Sequence, residues 1–308
     1  MDKKIAGLTI VVAILVLANA YFFISVTTAP LDGPGPVFNN AEAFIVPPQP
    51  ASYLPLLDTT QNDVQLDAKA AILYDVKSDR NLFEKNVDTK LPIASLTKIL
   101  NATVVWETFS PNEIVTIQDS AVKVDGQRQD VTAGETLSVN ALIQMMLIES
   151  SNDAAYALRD YAKTKNIDLV AQMNAKAASL GMKNTKFVDP AGLNDDGYST
   201  ASDMVKAVTY ALRYDAIWNF SRQSTATIVS SDGKFTRDIK STDGLLGVLS
   251  DIVGGKTGYT DSALGCMILI VDVPGQNDRM IGVVLGSHDR FGDMKNLITW
   301  AKQAYRWQ

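Results

Sequence analysis

Ser95-Leu96-Thr97-Lys98 is the first group of residues in this chain that could do chemistry. A serine hydroxyl becomes a nucleophile when a base takes its proton, and a lysine amine can be that base if burial or a neighbouring cation lowers its pKa. Residues three apart share a helix face, so these two side chains can meet. Ser120–Lys123 and Ser231–Lys234 have the same spacing, which makes the motif weak by itself. Only Ser95–Lys98 opens an apolar helical pattern after a proline.

Two further polar groups follow along the chain. Ser150-Ser151-Asn152 lies between one helical pattern that ends at Ile148 and another that begins at Asp153. Such a loop can present a hydroxyl and an amide into a cleft, although Asn152 or Asp153 could equally be only a helix cap. Lys256-Thr257-Gly258 precedes a predicted strand and follows two glycines. These residues suit a substrate carboxylate lying along a strand edge, although they could also form only a turn.

The elements that must position these groups are helices in the middle of the body and strands at both of its ends. Hydrophobic periodicity and capping residues predict helices over 95–109, 138–148, 153–164, 167–180, 200–213 and 290–307. Strands are predicted over 70–76, 81–85, 225–230, 235–240, 264–273 and 279–285. The pattern predicts an α+β fold, with helices packed on an antiparallel sheet built from both ends of the domain.

The N-terminal part of the chain has a different composition. Residues 5–26 carry no charge and follow Lys3 and Lys4, which predicts a transmembrane helix with residues 1–4 in the cytoplasm and the body outside. Ala18-Asn19-Ala20 also fits a signal-peptide cleavage site, in which case residues 1–20 would be removed and the body secreted. Residues 27–66 are proline-rich and predict a linker, with an arm packed on the domain as the alternative, and residues 67–308 form the predicted catalytic domain.

Composition excludes several classes of function. The net charge of −6 makes nucleic-acid binding a poor expectation, because an acidic surface repels phosphates. The single cysteine, Cys266, is expected to be a buried apolar residue, and with one histidine the sequence predicts neither a metal site nor a cofactor. Ser287-His288-Asp289 are neighbours in sequence, so they cannot form a Ser-His-Asp triad.

The three motifs taken in order are much more specific than any one of them. Ser150 follows Ser95 by 55 residues and Lys256 follows Ser150 by 106. This set resembles the low-molecular-weight penicillin-binding proteins, the serine-type D-alanyl-D-alanine carboxypeptidases. The resemblance covers about residues 67–308 and includes the blocks at 187–193 and 198–201. It implies the β-lactamase/penicillin-binding-protein-like fold and removal of the terminal D-alanine from peptidoglycan stem pentapeptides.

The resemblance also implies a role for each matched residue. Ser95 would be the acylated nucleophile, Lys98 its base, and Ser150 the relay of a proton to the leaving D-alanine. The implied substrate-binding residues are Asn152, Lys256, Thr257, Gly258 and Tyr259. Among them Asn152 would bind the substrate amide, and Lys256 and Thr257 the terminal carboxylate. The backbone N–H groups of Ser95 and Tyr259 would form the oxyanion hole.

The implied partners are stem peptides ending in D-Ala-D-Ala, β-lactams as inhibitors, and the bacterial cell membrane through the N-terminal helix. The stretch Thr242–Leu246 departs from the more basic, Asn-containing stretch of many members. The resemblance therefore does not define how substrate binds at this stretch. A D,D-endopeptidase, a β-lactamase and a catalytically inactive wall-binding module remain alternatives. The absence of a glutamate from residues 187–198 disfavours a class A β-lactamase.

Overall fold

A computed structural model describes residues 53–123, 131–273 and 275–307. The predicted cytoplasmic residues 1–4, the predicted membrane span 5–26 and most of the predicted linker lie outside the described residues. Within the described part of the chain, none of the helices has the length and apolar character that crossing a membrane requires.

A five-stranded antiparallel sheet forms the centre of the domain, with strand order β3-β2-β10-β9-β8. Its strands are β2 (Ala70–Asp75), β3 (Arg80–Lys85), β8 (Ile252–Thr260), β9 (Leu264–Asp272) and β10 (Arg279–Ser287). Two strands therefore come from the start of the domain and three from its end. This arrangement confirms the prediction of a sheet assembled from both ends of the body.

Helices cover both faces of the sheet. Between the strands of the two ends lie α1 (Thr97–Thr108), α2 (Val139–Ile148), α3 (Asn152–Thr164), α4 (Leu169–Ser179), α5 (Ala201–Ala211) and α6 (Asp215–Ser221). The closing helix α7 (Arg290–Ala304) packs on the opposite face. Ser138 caps α2 by accepting the Ala141 N–H, and Thr200 caps α5 in the same way, as their positions in the sequence predict.

The two faces of the sheet bury alternate residues of the same strands. In β9, Ile268 and Ile270 belong to the core shared with α1–α6, whereas Met267 and Leu269 belong to the core under α7. Side chains alternate across a strand, so a strand covered on both sides must be apolar at nearly every position. Cys266 lies in this strand and is fully buried, as predicted.

The part of the chain that the structure describes also contains three small antiparallel pairs: β1 (Pro55–Leu57) with β11 (Tyr305–Trp307), β4 (Ile114–Thr116) with β5 (Thr136–Ser138), and β6 (Thr225–Val229) with β7 (Thr236–Lys240). β1 lies inside the stretch predicted as a linker, and these three residues are held on the domain by their pairing with β11. The helix predicted to run to residue 307 ends at Ala304, because the last residues form β11.

Strand β8 corrects the alternative of a turn at Lys256-Thr257-Gly258, because these residues lie inside a nine-residue strand, and this strand is at the edge of the sheet. Its glycines lower strand propensity, which hid the strand in the sequence. They are needed because the backbone is approached closely: a Cβ on Gly255 would lie 2.7 Å from the Ile268 carbonyl oxygen, and one on Gly258 would lie 2.9 Å from the Ser95 nitrogen. Gly258 thus lets β8 reach the turn that carries Ser95, and Gly255 lets it pack closely against β9.

Candidate active site

Ser95 and Lys98 meet at the start of α1. Ser95 lies in a short 3-10 turn, Ala94–Leu96, and Lys98 lies in the first turn of the helix that follows. The Lys98 Nζ is 2.7 Å from the Ser95 Oγ, and the lysine side chain is fully buried. The i, i+3 spacing therefore places the hydroxyl and the amine within hydrogen-bond distance, as predicted.

The corner between α2 and α3 supplies the next two residues. Ser151, rather than Asn152 or Asp153, is the N-cap of α3, and its Oγ accepts the Ala154 N–H. The Asn152 side chain is therefore available for another contact, and its Oδ1 lies 2.6 Å from the Lys98 Nζ. Ser150 has a φ of +66°, a left-handed conformation that a serine rarely adopts.

Strand β8 brings the third motif to the same place. The Lys256 Nζ donates to the Ser150 Oγ over 2.8 Å and to the Thr257 carbonyl oxygen over 2.7 Å. The Thr257 hydroxyl lies 2.6 Å from that of Thr242. Lys256 is 1% exposed, so its ammonium is held between the sheet edge and the α2–α3 corner rather than in solvent.

These residues line one cleft of about 250 Å³. Its walls include the predicted residues Ser95, Ser150, Asn152, Thr257, Gly258 and Tyr259. Lys98 and Lys256 lie behind this wall, each bonded to a serine that faces the cleft. The Tyr259 ring is 59% exposed at the edge of the cleft. All eight predicted site residues therefore gather around a single opening.

The cleft is electrostatically positive on its β8 side. Burial, the charge of Lys98 and the charge of Arg290 hold the pKa of Lys256 well below its usual value, whereas Asp243 opposes this shift. Burial also lowers the pKa of Arg290. Asp243 lies behind the strand. Burial raises its pKa, whereas the hydrogen bond from the Leu245 N–H and the charges of Lys256 and Arg290 act to lower it. Clustered cations at an accessible cleft favour an anionic group on the ligand.

Sequence reasoning missed several residues of the cleft wall, namely Glu149, Gly192, Leu193, Thr242 and Arg290. Arg290 was assigned only to the closing helix. A cation in the first helical turn opposes the helix dipole, and this is the signal that could have identified it. His288 bonds Asp67 instead and is exposed, and Ser287 bonds Asp293, so the expectation that these neighbours form no triad agrees with their contacts.

Comparison with known proteins identifies the family. A family model described as D-alanyl-D-alanine carboxypeptidase, peptidase S11, matches residues 57–289. The chain belongs to this family. The recognition of a low-molecular-weight penicillin-binding protein of the serine peptidase class from its motifs is thus confirmed.

Among its relatives, the chain is 31% identical over 228 residues to the D-alanyl-D-alanine carboxypeptidase DacF of Bacillus subtilis, covering 72% of this chain and 58% of DacF. It is 30% identical over 268 residues to a D-alanyl-D-alanine endopeptidase of Pseudomonas aeruginosa, covering 84% and 83%. The ampicillin-bound penicillin-binding protein D2 of Listeria monocytogenes superposes with a TM-score of 0.67 at 31% identity, covering 78% of this chain and 99% of that one. The penicillin-binding-protein-like fold is therefore confirmed.

Proposed function

We propose that this family member is a membrane-tethered D-Ala-D-Ala carboxypeptidase that removes the terminal D-alanine of stem pentapeptides through an acyl-enzyme on Ser95. The observation that carries the proposal is the buried Lys98 Nζ at 2.7 Å from the Ser95 Oγ, at the wall of a cationic cleft. A buried amine beside a hydroxyl is the arrangement that a serine nucleophile needs at neutral pH.

The contacts of Lys98 orient the amine as a base. Its Nζ also donates to the Asn152 Oδ1 at 2.6 Å and to the Ala191 carbonyl oxygen at 3.1 Å. When the amine is neutral, these two acceptors hold its two N–H bonds and its lone pair points at the Ser95 hydroxyl. Lys98 then takes the proton as Ser95 attacks the carbonyl of the penultimate D-alanine. The N–H groups of Ser95 and Tyr259 stabilise the oxyanion that forms.

Ser150 completes the proton path. The departing nitrogen of D-alanine must gain a proton when the peptide bond breaks, and the Ser150 hydroxyl faces the cleft on the side of Asn152. The Lys256 ammonium donates to the Ser150 Oγ, which leaves the hydroxyl proton directed at the leaving group. As Ser150 gives up this proton it takes up the proton that Lys98 received from Ser95, so Lys98 is again a neutral amine. Water then hydrolyses the ester: Lys98 takes a proton from the attacking water and returns it to the Ser95 oxygen as the ester bond breaks.

The β8 side of the cleft is suited to the terminal carboxylate of the substrate. Thr257 supplies a hydroxyl, and Lys256 and Arg290 supply positive charge. A carboxylate bound there would place the preceding peptide bond beside Ser95, because Gly258 runs directly against the Ser95 nitrogen. A β-lactam also carries a carboxylate next to a reactive carbonyl, so it would acylate Ser95 in place of the peptide.

The proposed location is the outer face of the bacterial cell membrane. Residues 5–26 form the anchor, and the proline-rich residues that follow act as a stalk. If residues 1–20 are cleaved instead, the domain is secreted. Intact-mass measurement of the protein from membranes separates the two, because a mature chain that begins at Tyr21 excludes the anchor.

D,D-endopeptidase activity is the second candidate. The coverage of two relatives favours this candidate. The match to the endopeptidase from Pseudomonas aeruginosa covers 83% of that protein, whereas the match to the carboxypeptidase DacF covers 58% of DacF. Both reactions would use the same acyl-enzyme and differ in the group that leaves.

The test is release of D-alanine from a stem pentapeptide by the full chain, with Ser95→Ala as the control. Release that disappears in the control supports the carboxypeptidase. Cleavage of a cross-linked stem-peptide dimer without release of D-alanine would replace it by the endopeptidase. Rapid turnover of a β-lactam would favour a β-lactamase, and neither cleavage nor labelling by a fluorescent penicillin would favour an inactive wall-binding module.

A further inference from the structure

Asp189 organises the loop that passes beneath the start of α1. Its carboxylate accepts four consecutive backbone N–H groups: Ala191 at 2.7 Å, Gly192 at 2.6 Å and Leu193 at 3.3 Å to Oδ1, and Asn194 at 2.8 Å to Oδ2. The residue is only 8% exposed. One buried carboxylate therefore fixes the backbone of the whole loop, because charge-assisted hydrogen bonds of this kind are the stronger ones.

The loop held by Asp189 contacts Lys98 and the backbone and helix that carry the Ser95–Lys98 pair at three points. The Ala191 carbonyl oxygen accepts from the Lys98 Nζ at 3.1 Å, and the Pro190 carbonyl oxygen accepts from the Asn101 Nδ2 at 2.7 Å. Gly192, with a φ of +80°, lies so close to the turn before Ser95 that a Cβ there would be 1.9 Å from the Ala94 carbonyl oxygen. The loop is thus packed directly on the backbone that presents Ser95.

We infer that Asp189 is a positioning residue for the Ser95–Lys98 pair, acting through the Ala191 carbonyl. This inference rests on the proposed function, in which Lys98 is the base. The carbonyl holds one N–H of the amine, so that the lone pair faces Ser95. Without the carboxylate, the loop N–H groups lose their acceptor, the carbonyl moves, and the amine can rotate away from the hydroxyl.

If Asp189 only stabilised the loop, its replacement would lower stability without changing the pH dependence of acylation. A carbonyl acceptor stabilises the ammonium form of Lys98 more than the amine, so the Ala191 contact also affects the pH at which the base becomes free. The other charged or titratable groups on the surrounding elements include Glu149 at the α2–α3 corner, Lys256 and Tyr259 on β8, Arg290 on α7, and Asp153 and Tyr156 on α3. Burial, and after it the charge of Asp189, raises the pKa of Tyr156 to about 12, so the charge of Asp189 reaches α3 as well.

The experiment measures the rate constant of acylation by a fluorescent penicillin from about pH 5 to 10, using the full chain and its Asp189→Asn variant. Asn retains an acceptor but removes the charge and places an NH₂ group among the loop donors. We expect a rate constant about 10²-fold lower, because a reacting group misplaced by about 1 Å costs that much. We also expect the acid limb of the profile to move by about one pH unit toward lower pH, because the ammonium loses an acceptor and a nearby negative charge.

Asp278→Asn is the matched control. Asp278 is also 8% exposed and also accepts backbone N–H groups, from Lys77 and Arg279. Asp278 and its two donors do not line the cleft. This variant is expected to change stability without moving the pH profile. Asn101→Ala, which removes the second attachment of the loop to α1, is a further variant in case Asp189→Asn does not fold. It is expected to move the acid limb in the same direction by a smaller amount.

The outcomes separate the inference from the proposed function. Failure of the wild-type chain to be labelled at Ser95 would overturn the proposed function, and the inference with it. If the wild-type chain is labelled but the acid limb does not move in Asp189→Asn, the inference alone is overturned. The same holds if the acid limb does not move in a folded Asn101→Ala. An equal shift in Asp278→Asn would do the same, since it would trace the effect to stability.

Discussion

Replacing Gly192 by alanine would push a methyl group into the turn that carries Ser95. The new Cβ would lie 1.9 Å from the Ala94 carbonyl oxygen, and Cβ atoms essentially never approach closer than 3.0 Å. The loop and the turn would therefore have to separate by about 1.1 Å, the difference between those two distances. Because the obstructing atoms belong to the backbone, no side-chain rotation can relieve the contact. A displacement of about 1 Å at a reacting group is expected to slow acylation about 10²-fold.

Gly181→Ala separates this displacement from the cost of the backbone conformation. Gly181 has a φ of +69°, close to the +80° of Gly192, but nothing lies within 4 Å of the Cβ it would gain. Both variants are expected to lose about 1–2 kcal/mol of unfolding free energy from the left-handed conformation. Gly192→Ala should lose about 1–3 kcal/mol more through overpacking.

The assays are urea unfolding and the rate of fluorescent-penicillin acylation, both with the full chain. Gly181→Ala should acylate at the wild-type rate. Our reasoning is refuted if Gly192→Ala also acylates at that rate, or is no less stable than Gly181→Ala, because the loop would then not be packed against the Ser95 turn as described.

Three further variants test the charges around the cleft. Burial raises the pKa of Asp243, so the folded chain binds its proton more tightly than the unfolded chain, and stability falls as pH rises through that window. Asp243→Asn should therefore gain stability relative to wild type between about pH 4 and pH 7 in thermal unfolding, and a flat or opposite difference would contradict this. Burial, Lys98 and Arg290 lower the pKa of Lys256, so at neutral pH the unfolded chain binds that proton more tightly. Lys256→Met should raise the thermal midpoint at neutral pH while slowing acylation, and a lower midpoint would count against the buried ammonium. Arg290→Gln should raise KM about 10- to 100-fold for a peptide with a free terminal carboxylate but not for its amide, and equal effects on both would exclude carboxylate binding by Arg290.

Local spacing was sufficient to predict the parts of the site that depend on one element. Ser95 and Lys98 are three residues apart on a helix, and helix geometry brings them together without further information. The strands that alternate or are continuously apolar were predicted close to their observed positions. In contrast, Lys256-Thr257-Gly258 was not recognised as part of a strand, because the reason for Gly258 is the approach of Ser95, which is 163 residues away in sequence.

Contacts made by the backbone were beyond the reach of motif reasoning. The third acceptor of Lys98 is the carbonyl oxygen of Ala191, and any residue could supply that atom. Asp189 fixes the position of this carbonyl by accepting hydrogen bonds from four backbone N–H groups of the loop, and these bonds are visible only in the structure. The sequence did suggest the block at 187–193, but only through resemblance, since no local pattern states which carbonyl a loop will present.

The two other Ser-x-x-Lys matches show what distinguishes a reactive pair from a coincidence of spacing. The Lys123 Nζ lies 2.7 Å from Asp119 with its side chain 69% exposed, and the Ser120 hydroxyl donates to Asp160. The Lys234 Nζ lies 3.0 Å from Asp232 and is 74% exposed. In both cases the lysine contacts a carboxylate and is largely exposed to solvent. Lys98 is instead fully buried, and its Nζ contacts the Ser95 Oγ, the Asn152 Oδ1 and the Ala191 carbonyl oxygen. The spacing is thus common in this chain, and what distinguishes the Ser95–Lys98 pair is the burial that the surrounding loop and strand provide.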